Sequence, residues 1–233
     1  MNTPPVETVL AALANSLGVD HVLTDDAALA YVSTDLFYEG APPCAVIRPG
    51  SVEQLADAVR EITGAGLAVV PRGGGLSYSA GYLADRSDAV VIDTRRLNHI
   101  LEINEEDMFV TVETGVTWAV LDAALAARGL RTPFWGTGSG KHATVGATLS
   151  QNGINYGSGQ YGFAAQSVIG LDIVTADGGL MTTGSGGNDQ SATPFLRHYG
   201  PDLTGLFIGD CGALGVKAKA TLQLIQRPAV TRY

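Results

Sequence analysis

The chain has 233 residues, with 14 basic and 23 acidic side chains and a formal net charge of −9. A negative charge of this size repels nucleic-acid phosphates and anionic membrane surfaces, so the sequence argues against a nucleic-acid partner. A hydrophobic fraction of 45% and a charged fraction of 16% are those of an ordinary globular protein, large enough for one generous core or two modest ones.

The cysteines and the N-terminus bear on location. Cys44 and Cys211 lie far apart and in no CxxC spacing, which indicates neither a disulfide framework nor a metal site and favours a reducing, cytoplasmic compartment. The N-terminus lacks the basic start and apolar core of a signal peptide. No uninterrupted apolar stretch of about 18 residues occurs, so no membrane span is expected.

The first part of the chain alternates predicted helices with strands. Prolines open the first helix and Gly18 closes it, a pattern typical of helix ends. In the helix over 51–63, Ser51 and Gln54 have the spacing of a capping box, and apolar residues recur at helical intervals. The apolar runs CAVIRP and LAVVP flank this helix, so residues 44–71 indicate a parallel, right-handed strand–helix–strand unit.

The second part is richer in strands. Residues 118–130 return to helical spacing and end at Gly129, whereas Asp177 with Gly178 suits a tight hairpin. Residues 215–224 alternate apolar side chains with lysine, threonine and glutamine, which predicts a half-exposed strand. The other predicted strands are AVVID at 89–93, ILEI at 100–103, MFVTVE at 108–113, and two within VIGLDIVTADGGLMTT at 168–183.

The segment PRGGGLSY at 71–78 is the first of two candidate ligand-binding loops. It directly follows an apolar strand, and three successive glycines allow consecutive N–H groups to converge on one anion. Ser77 adds a hydroxyl donor, whereas Arg72 could either face the anion or pair with a structural carboxylate. We interpret the segment as an anion-binding loop in preference to a flexible turn, for which one or two glycines would suffice.

The second candidate is WGTGSGKHATVGATLSQNG at 135–153, which combines loop glycines with a helix start near Ser139 or Thr144. A helix N-terminus beside a glycine loop would bind a further part of the same ligand. The alternative is a surface loop with an ordinary capped helix.

Two nucleotide-binding motifs are excluded in this segment. A P-loop requires glycine where Trp135 stands and serine or threonine where His142 stands. No strand clearly precedes Gly138, so a Rossmann fingerprint is not supported. His142 could be a catalytic base or a flavin contact, but a lone histidine beside a loop is more often a hydrogen-bonded surface residue. Cys211 is interpreted as a small residue packed in a tight turn.

Four segments together resemble one family: PRGGGLSYSAGY at 71–82, GSGKHATVGATLSQNG at 138–153, YG at 161–162, and GLFIGDCGALGVKAKATL at 205–222. It is the FAD-binding domain of the PCMH/vanillyl-alcohol oxidase type, shared by D-lactate dehydrogenases, glycolate oxidase and vanillyl-alcohol oxidase. The order and spacing of the motifs make the resemblance specific over about residues 35–225. It implies an α+β fold of two subdomains with FAD between them.

The resemblance also implies which residues bind the cofactor. The pyrophosphate would lie on the loop at 73–77, Tyr161 and Gly162 beside the flavin, and Gly215 and Val216 at the ribose or adenine end. The full set of expected cofactor-binding residues is Arg72, Gly73, Gly74, Gly75, Leu76, Ser77, Tyr78, Gly138, Ser139, Thr144, Gly146, Ala147, Asn152, Gly153, Tyr161, Gly162, Gly215 and Val216.

Departures from the family pattern refine these expectations. Many relatives attach flavin covalently through a histidine where this chain has Leu76, and bicovalent relatives use a cysteine in the second motif, where none occurs, so noncovalent FAD is expected. Asp210, Cys211 and Gly212 stand where the family usually has Ser-Glu-Gly. Gly74→Asp is expected to abolish flavin retention in a folded protein, because the carboxylate would face the pyrophosphate.

The resemblance divides the chain into an N-terminal helical segment at 1–34, a FAD-binding domain at 35–225 and a tail at 226–233 that leads to an absent cap domain. The FAD-binding domain would consist of one subdomain at about 35–100 and another at about 101–225. Relatives obtain substrate contacts and usually the catalytic base from the cap, so no catalytic residue is assigned.

The expected function is that of a FAD-dependent oxidoreductase that oxidises an alcohol or 2-hydroxy acid by hydride transfer to flavin when complete. Its partners would be that small-molecule substrate and a second subunit or cap domain. One alternative is a non-catalytic flavin-binding subunit or fragment. A weaker alternative is a nucleotide-phosphate binder without redox chemistry.

Overall fold

The computed structural model describes residues 4–134, 139–188, 190–191, 194–198 and 200–230. These residues form helices and two main sheets, which confirms the predicted α+β class. Within the described ranges, no helix combines the length and apolar character needed to cross a membrane.

The elements follow the sequence pattern closely. The helices are α1 (Val6–Leu17), α2 (Asp26–Val32), α3 (Val52–Gly64), α4 (Trp118–Ala126), α5 (Val145–Ser150), α6 (Ser158–Tyr161) and α7 (Leu203–Leu206). The strands are β1 (Val22–Leu23), β2 (Ala45–Ile47), β3 (Ala68–Arg72), β4 (Ala89–Asp93), β5 (Ile100–Asn104), β6 (Phe109–Glu113), β7 (Leu130–Arg131), β8 (Val168–Val174), β9 (Leu180–Thr182), β10 (Val216–Gln223) and β11 (Ile225–Gln226). Short 3₁₀ turns occur at Val19–His21, Thr94–Arg96, Ala164–Ser167 and Gly184–Gly187.

The first sheet has the strand order β1-β2-β4-β3. Strand β4 is parallel to both of its neighbours, β2 and β3, while β1 pairs antiparallel with β2. Helix α3 connects β2 to β3, so residues 44–71 form the predicted parallel strand–helix–strand unit, with β4 inserted between its strands. Helix α1 packs on α3, and both contribute to one apolar core with this sheet.

Helix α3 begins where its sequence predicts. The Ser51 hydroxyl accepts a hydrogen bond from the Gln54 N–H at 3.2 Å, and the Gln54 side chain accepts one from the Gly50 N–H at 2.8 Å. This arrangement satisfies N–H groups that have no partner inside the helix. The buried residues Leu55 and Ile62 lie on the face that meets the sheet.

The second sheet has the strand order β5-β6-β10-β8-β9, and its neighbouring strands are antiparallel. Helices α4 and α5 contribute to its core. Strands β8 and β9 form the predicted hairpin, with Gly178 at φ +74° in the turn. Helix α4 ends at Ala126, earlier than predicted, because residues 127–129 turn at Gly129 (φ +68°) and lead into β7.

Strand β10 departs from its prediction. Its alternating sequence suggested a half-exposed strand, but Lys217 and Thr221 are as buried as the apolar residues between them. The prediction holds for Gln223, which is exposed, and for Lys219, which is partly exposed. It was wrong for Lys217 and Thr221, because β10 is central in its sheet. One end of β10 enters the first core through Ala218, and the other enters the second core through Ala220 and Leu222. The strand therefore joins the two parts of the molecule.

Candidate ligand-binding site

The glycine loop after β3 packs closely against the residues that precede and begin α5. A β-carbon on Gly73 would collide with the side chains of Thr144 and Ala147, and one on Gly74 would collide with the backbone carbonyl of His142. Glycine is therefore required here for close approach of two backbone segments. In Gly74→Asp the β-carbon would already collide with the His142 carbonyl, so this variant disturbs the loop itself and does not isolate the effect of the carboxylate on a pyrophosphate.

The backbone N–H groups of residues 74–78 are the unsatisfied donors of this loop. Among the described residues, none of these N–H groups donates a hydrogen bond to a protein acceptor. Gly75 adopts φ +66°, a left-handed conformation that glycine reaches without strain. Unpaired donors gathered in one loop can bind an anion, as the sequence predicted.

The first turn of α5 begins at one of the two predicted residues, but its N–H groups already have acceptors within the protein. Thr144 is the N-cap, as one of the two expected starts, whereas Ser139 begins a turn in which its carbonyl accepts from the N–H groups of His142 and Ala143 at 3.0 Å. The first N–H groups of α5 already have protein acceptors. The pairs are Val145 to the Val116 carbonyl (2.9 Å), Gly146 to the Thr114 carbonyl (2.9 Å) and Ala147 to the Thr144 hydroxyl (3.4 Å). The N–H groups of Val145, Gly146 and Ala147 are therefore already engaged, which favours the alternative of an ordinary capped helix at this point.

Three neighbouring cavities border the loop, and two of them share most of their loop residues. The first of these two lies where β3 meets α5 and the start of β10, and the second extends from the loop along α5 toward Ile154. Both are lined by Gly75, Leu76 and Ser77 from the loop, and by Ala147 from α5. An elongated ligand that carries its charge near the middle would place that charge on the loop and one end in each cavity.

Arg72 is the buried cation of the first cavity. The residue is 3% exposed, and its Nε and Nη1 atoms have no hydrogen-bond partner among the described residues. Asp93 lies opposite Arg72 in the sheet but forms its ion pairs with Arg95 at 2.6 Å and Arg48 at 3.6 Å. Of the two alternatives that the sequence left for Arg72, the structure favours facing an anion, because a buried unpaired charge is costly without a partner.

Lys217, which also lines the first cavity, is already neutralised. Its Nζ lies 2.5 Å from an Asp210 oxygen, and the two side chains are 2% and 3% exposed. Burial lowers the pKa of Lys217, and the hydrogen bond to Asp210 opposes that shift. Asp210 also accepts from the Gly212 N–H at 3.0 Å, which fixes the turn in which Cys211 adopts φ +52°. The turn was expected at Cys211, but the side chain is exposed and lines the cavity.

Most of the expected binding residues line these two cavities. Those in the first cavity are Arg72, Gly73, Gly75, Leu76, Ser77, Gly146, Ala147 and Val216. Those in the second, apart from the shared residues, are Gly74, Tyr78, Ser139, Asn152 and Gly153.

The remaining expected residues have other positions. Thr144 is fully buried and supports Gly73 and α5 from behind. Gly215, at φ +158°, adjoins Val216 but does not line either cavity as far as the chain is described. The same holds for Tyr161 and Gly162, and Gly138 lies outside the described residues.

Sequence reasoning missed several residues of the site. Tyr82 lies inside the quoted motif, and its hydroxyl bonds the carbonyls of Gly75 at 2.9 Å and Ser77 at 3.3 Å. Lys217 directly follows Val216, so the position of the strand could have indicated it. Tyr31, on α2, gave no signal, because its contact with Arg72 depends on tertiary packing.

The unpaired donors, the buried cation and the two connected cavities suit an elongated anionic ligand. A family model described as a FAD binding domain matches residues 43–184. This chain belongs to the FAD binding domain family. The resemblance drawn from the sequence, and FAD as the cofactor, are thereby confirmed.

Relatives of this FAD-binding domain include full-length enzymes. It is 33% identical over 231 residues to 1'-carboxy-chondrochloren decarboxylase of Chondromyces crocatus, covering 98% of the chain and 42% of that protein. It is 31% identical to glycolate oxidase subunit GlcD of Bacillus subtilis (strain 168), covering 80% of the chain and 38% of that protein. The fold resembles p-cresol methylhydroxylase with substrate bound, with a TM-score of 0.82, 23% identity, and coverage of 96% of the chain and 44% of that structure. The chain thus spans less than half the length of these proteins.

Proposed function

We propose that the loop at 73–77, together with Arg72, holds the pyrophosphate of a noncovalently bound FAD. The observation that carries this proposal is the concentration of unsatisfied N–H groups at residues 74–78 beside a buried guanidinium that lacks a carboxylate partner. The first N–H groups of α5 are occupied, so the loop supplies the backbone donors. Leu76 offers no nucleophile for a covalent flavin link, which supports noncovalent binding.

The two cavities support the placement of one half of FAD in each. We place the adenosine half in the first cavity, beside Val216, and the flavin half in the second, beside Asn152 and Gly153. Tyr161 and Gly162 line neither cavity within the described ranges, so they are left out of the proposed site. Aromatic and small residues at these surfaces would exclude water and orient the cofactor.

For the intact protein we propose oxidation of an alcohol or 2-hydroxy acid. Bound FAD supplies the hydride acceptor for such a reaction. The similarity to a glycolate oxidase subunit supports this substrate class. Residues of this chain bind and orient FAD, and we propose that substrate contacts come from a cap domain or second subunit corresponding to the unmatched part of the relatives.

The alternative is a flavin-binding subunit without turnover. The two are separated by reconstituting the chain with FAD together with the cap domain or second subunit, and mixing it with 2-hydroxy acids or aryl alcohols without oxygen. Bleaching of the flavin absorbance supports oxidation, whereas unchanged absorbance with every such substrate supports the alternative.

We propose that the protein works in a reducing, cytoplasmic compartment. We also propose that the FAD-binding domain is divided into the two subdomains that the family resemblance implies. Both Cys44 and Cys211 are free thiols, which supports the reducing setting. The subdomain boundary near residue 100 is supported by the change from the first sheet to the second between β4 and β5.

A negative charge introduced at the meeting point of the two cavities tests the cofactor site. Ala147→Asp places a carboxylate in the first turn of α5, facing Gly73, where it would repel the pyrophosphate. At a separation of about 5 Å and an effective dielectric constant of about 20, repulsion from one phosphate charge is about 3.3 kcal/mol and weakens FAD binding by about 250-fold. The measurement is the Kd from quenching of flavin fluorescence as apoprotein is titrated with FAD.

Ala119→Asp is the matched control. Ala119 is an exposed alanine in the first turn of α4, which is also capped by a threonine, Thr117. An acidic residue is favourable in the first turn of either helix, so both variants should fold. Equal FAD affinity in the two variants would remove Ala147, and the loop facing it, from the proposed site.

A further inference from the structure

Arg72 is held by aromatic rings and not by a carboxylate. The guanidinium carbon lies 4.8 Å from the centre of the Tyr31 ring and 5.3 Å from the centre of the Tyr82 ring. The carboxylate nearest in sheet register, Asp93, is engaged by Arg48 and Arg95. We call Tyr31, Arg72 and Tyr82 the aromatic clamp.

We propose that Tyr31 is a positioning residue for FAD binding, acting through Arg72. This inference rests on the proposed function of the loop. A ring face attracts a cation through its quadrupole but leaves the charge and the N–H donors of the guanidinium available. A carboxylate in the same place would neutralise the charge and compete with the pyrophosphate. The clamp therefore fixes the cation before the anion arrives, which lowers the cost of binding.

Tyr82 ties the clamp to the loop. It is 7% exposed, and its hydroxyl donates to the carbonyls of Gly75 at 2.9 Å and Ser77 at 3.3 Å. Burial raises the pKa of Tyr82, and the Arg72 charge opposes that shift, so the phenol stays protonated and remains a donor at neutral pH. A β-carbon on Gly75 would collide with the Arg72 guanidinium. The loop and the cation are thus fixed by one ring.

Tyr31 brings a separate segment into the site. It belongs to α2, which lies before the matched range of 43–184, and it is 58% exposed. After α2 the chain is joined to the loop region by Asp35, whose carboxylate accepts from the Ala80 N–H at 2.8 Å. Asp35 therefore holds α2 near the loop independently of the contact between Tyr31 and Arg72. Because the Tyr31 ring is largely exposed, its removal should cost little packing.

Substitution of Tyr31 tests the proposal through the FAD dissociation constant of the full chain. Tyr31→Leu should weaken FAD binding about tenfold, the effect of one partly desolvated cation–π contact. Tyr31→Phe keeps the ring face and should bind within about twofold of the unaltered chain. Tyr38→Leu is the control, because Tyr38 is similarly exposed at 55% but is not a clamp residue. Thermal unfolding of each apoprotein establishes that the variants fold.

A double variant separates positioning from a structural role. If Tyr31 acts through the cation, Tyr31→Leu should have no further effect on FAD affinity in an Arg72→Met background. An equal tenfold loss in both backgrounds, or no loss in Tyr31→Leu alone, would overturn the inference. Failure of the unaltered chain to bind FAD would instead reject the proposed function, so the two failures are distinguishable.

Discussion

Gly74 has no space for a β-carbon, because the His142 carbonyl occupies the place where it would lie. We predict that Gly74→Ala lowers the free energy of unfolding of the apoprotein by about 2 kcal/mol, since the rigid backbone of another segment must move. FAD affinity should fall as well, because the loop donors move with it. Urea denaturation measures the first effect, and FAD titration the second.

Gly64 provides the control for that substitution. It is the last residue of α3, and a β-carbon there meets nothing within 4 Å. Gly64→Ala should therefore raise the free energy of unfolding by about 0.5–1 kcal/mol, through helix propensity and lower entropy of the unfolded chain. A similar loss of stability in both variants would contradict the close packing assigned to Gly74.

At this scale the sequence predicted the loop but not the clamp. Three glycines after a buried strand indicate a backbone that approaches something closely, and that signal is local. The environment of Arg72 is not local, because it depends on Tyr31 from α2 and on Asp93 being engaged by other arginines. Sequence patterns carry no information about which of several carboxylates an arginine will reach.

A buried ion pair joins Lys217 of strand β10 to Asp210. Lys217 on β10 and Asp210 in the preceding turn are almost fully removed from solvent. We predict that Lys217→Met lowers the free energy of unfolding by about 3–5 kcal/mol, because it leaves a buried carboxylate without its partner. Chemical denaturation of the apoprotein is the measurement.

The double variant Asp210→Asn with Lys217→Met should recover most of that stability. Asparagine keeps an acceptor for the Gly212 N–H but carries no charge. Strict additivity of the two single losses would show that the pair does not interact and would contradict this description of β10.

At the scale of elements, periodicity predicted the positions of α1, α3 and most strands, since burial of one face leaves a regular pattern. The same reasoning was wrong for two residues of β10, Lys217 and Thr221. They are buried because the charge of Lys217 is paired and Thr221 hydrogen-bonds Thr111 at 2.9 Å, and neither partner can be inferred from the sequence of the strand alone. For the first turn of α5, the local sequence could not show that the N–H groups of Val145 and Gly146 bond carbonyls from the segment before α4.

At the scale of the whole molecule, the candidate site lies between the two larger apolar cores of the described residues. Because the proposed cofactor contacts both, it should stabilise both together. We predict that FAD at 100 times its Kd raises the free energy of unfolding by about 2.7 kcal/mol and raises Tm in a single transition. Differential scanning calorimetry with and without FAD measures the shift.

The number of unfolding transitions shows whether one or both parts of the molecule bind FAD. Two separate transitions, of which FAD shifts one, would show that the cofactor is held by a single subdomain. That outcome would contradict a site shared between the first sheet and α5.

The placement of β10 has a consequence for dissecting this protein. Residues 43–184 are the part recognisable as a family match, yet they exclude β10 and α1. A shortened protein with those limits would lack the middle strand of one sheet and a helix that covers the other, leaving two open edges prone to aggregation. The stretch that identifies the family is thus shorter than the stretch that supplies both sheets and their cores.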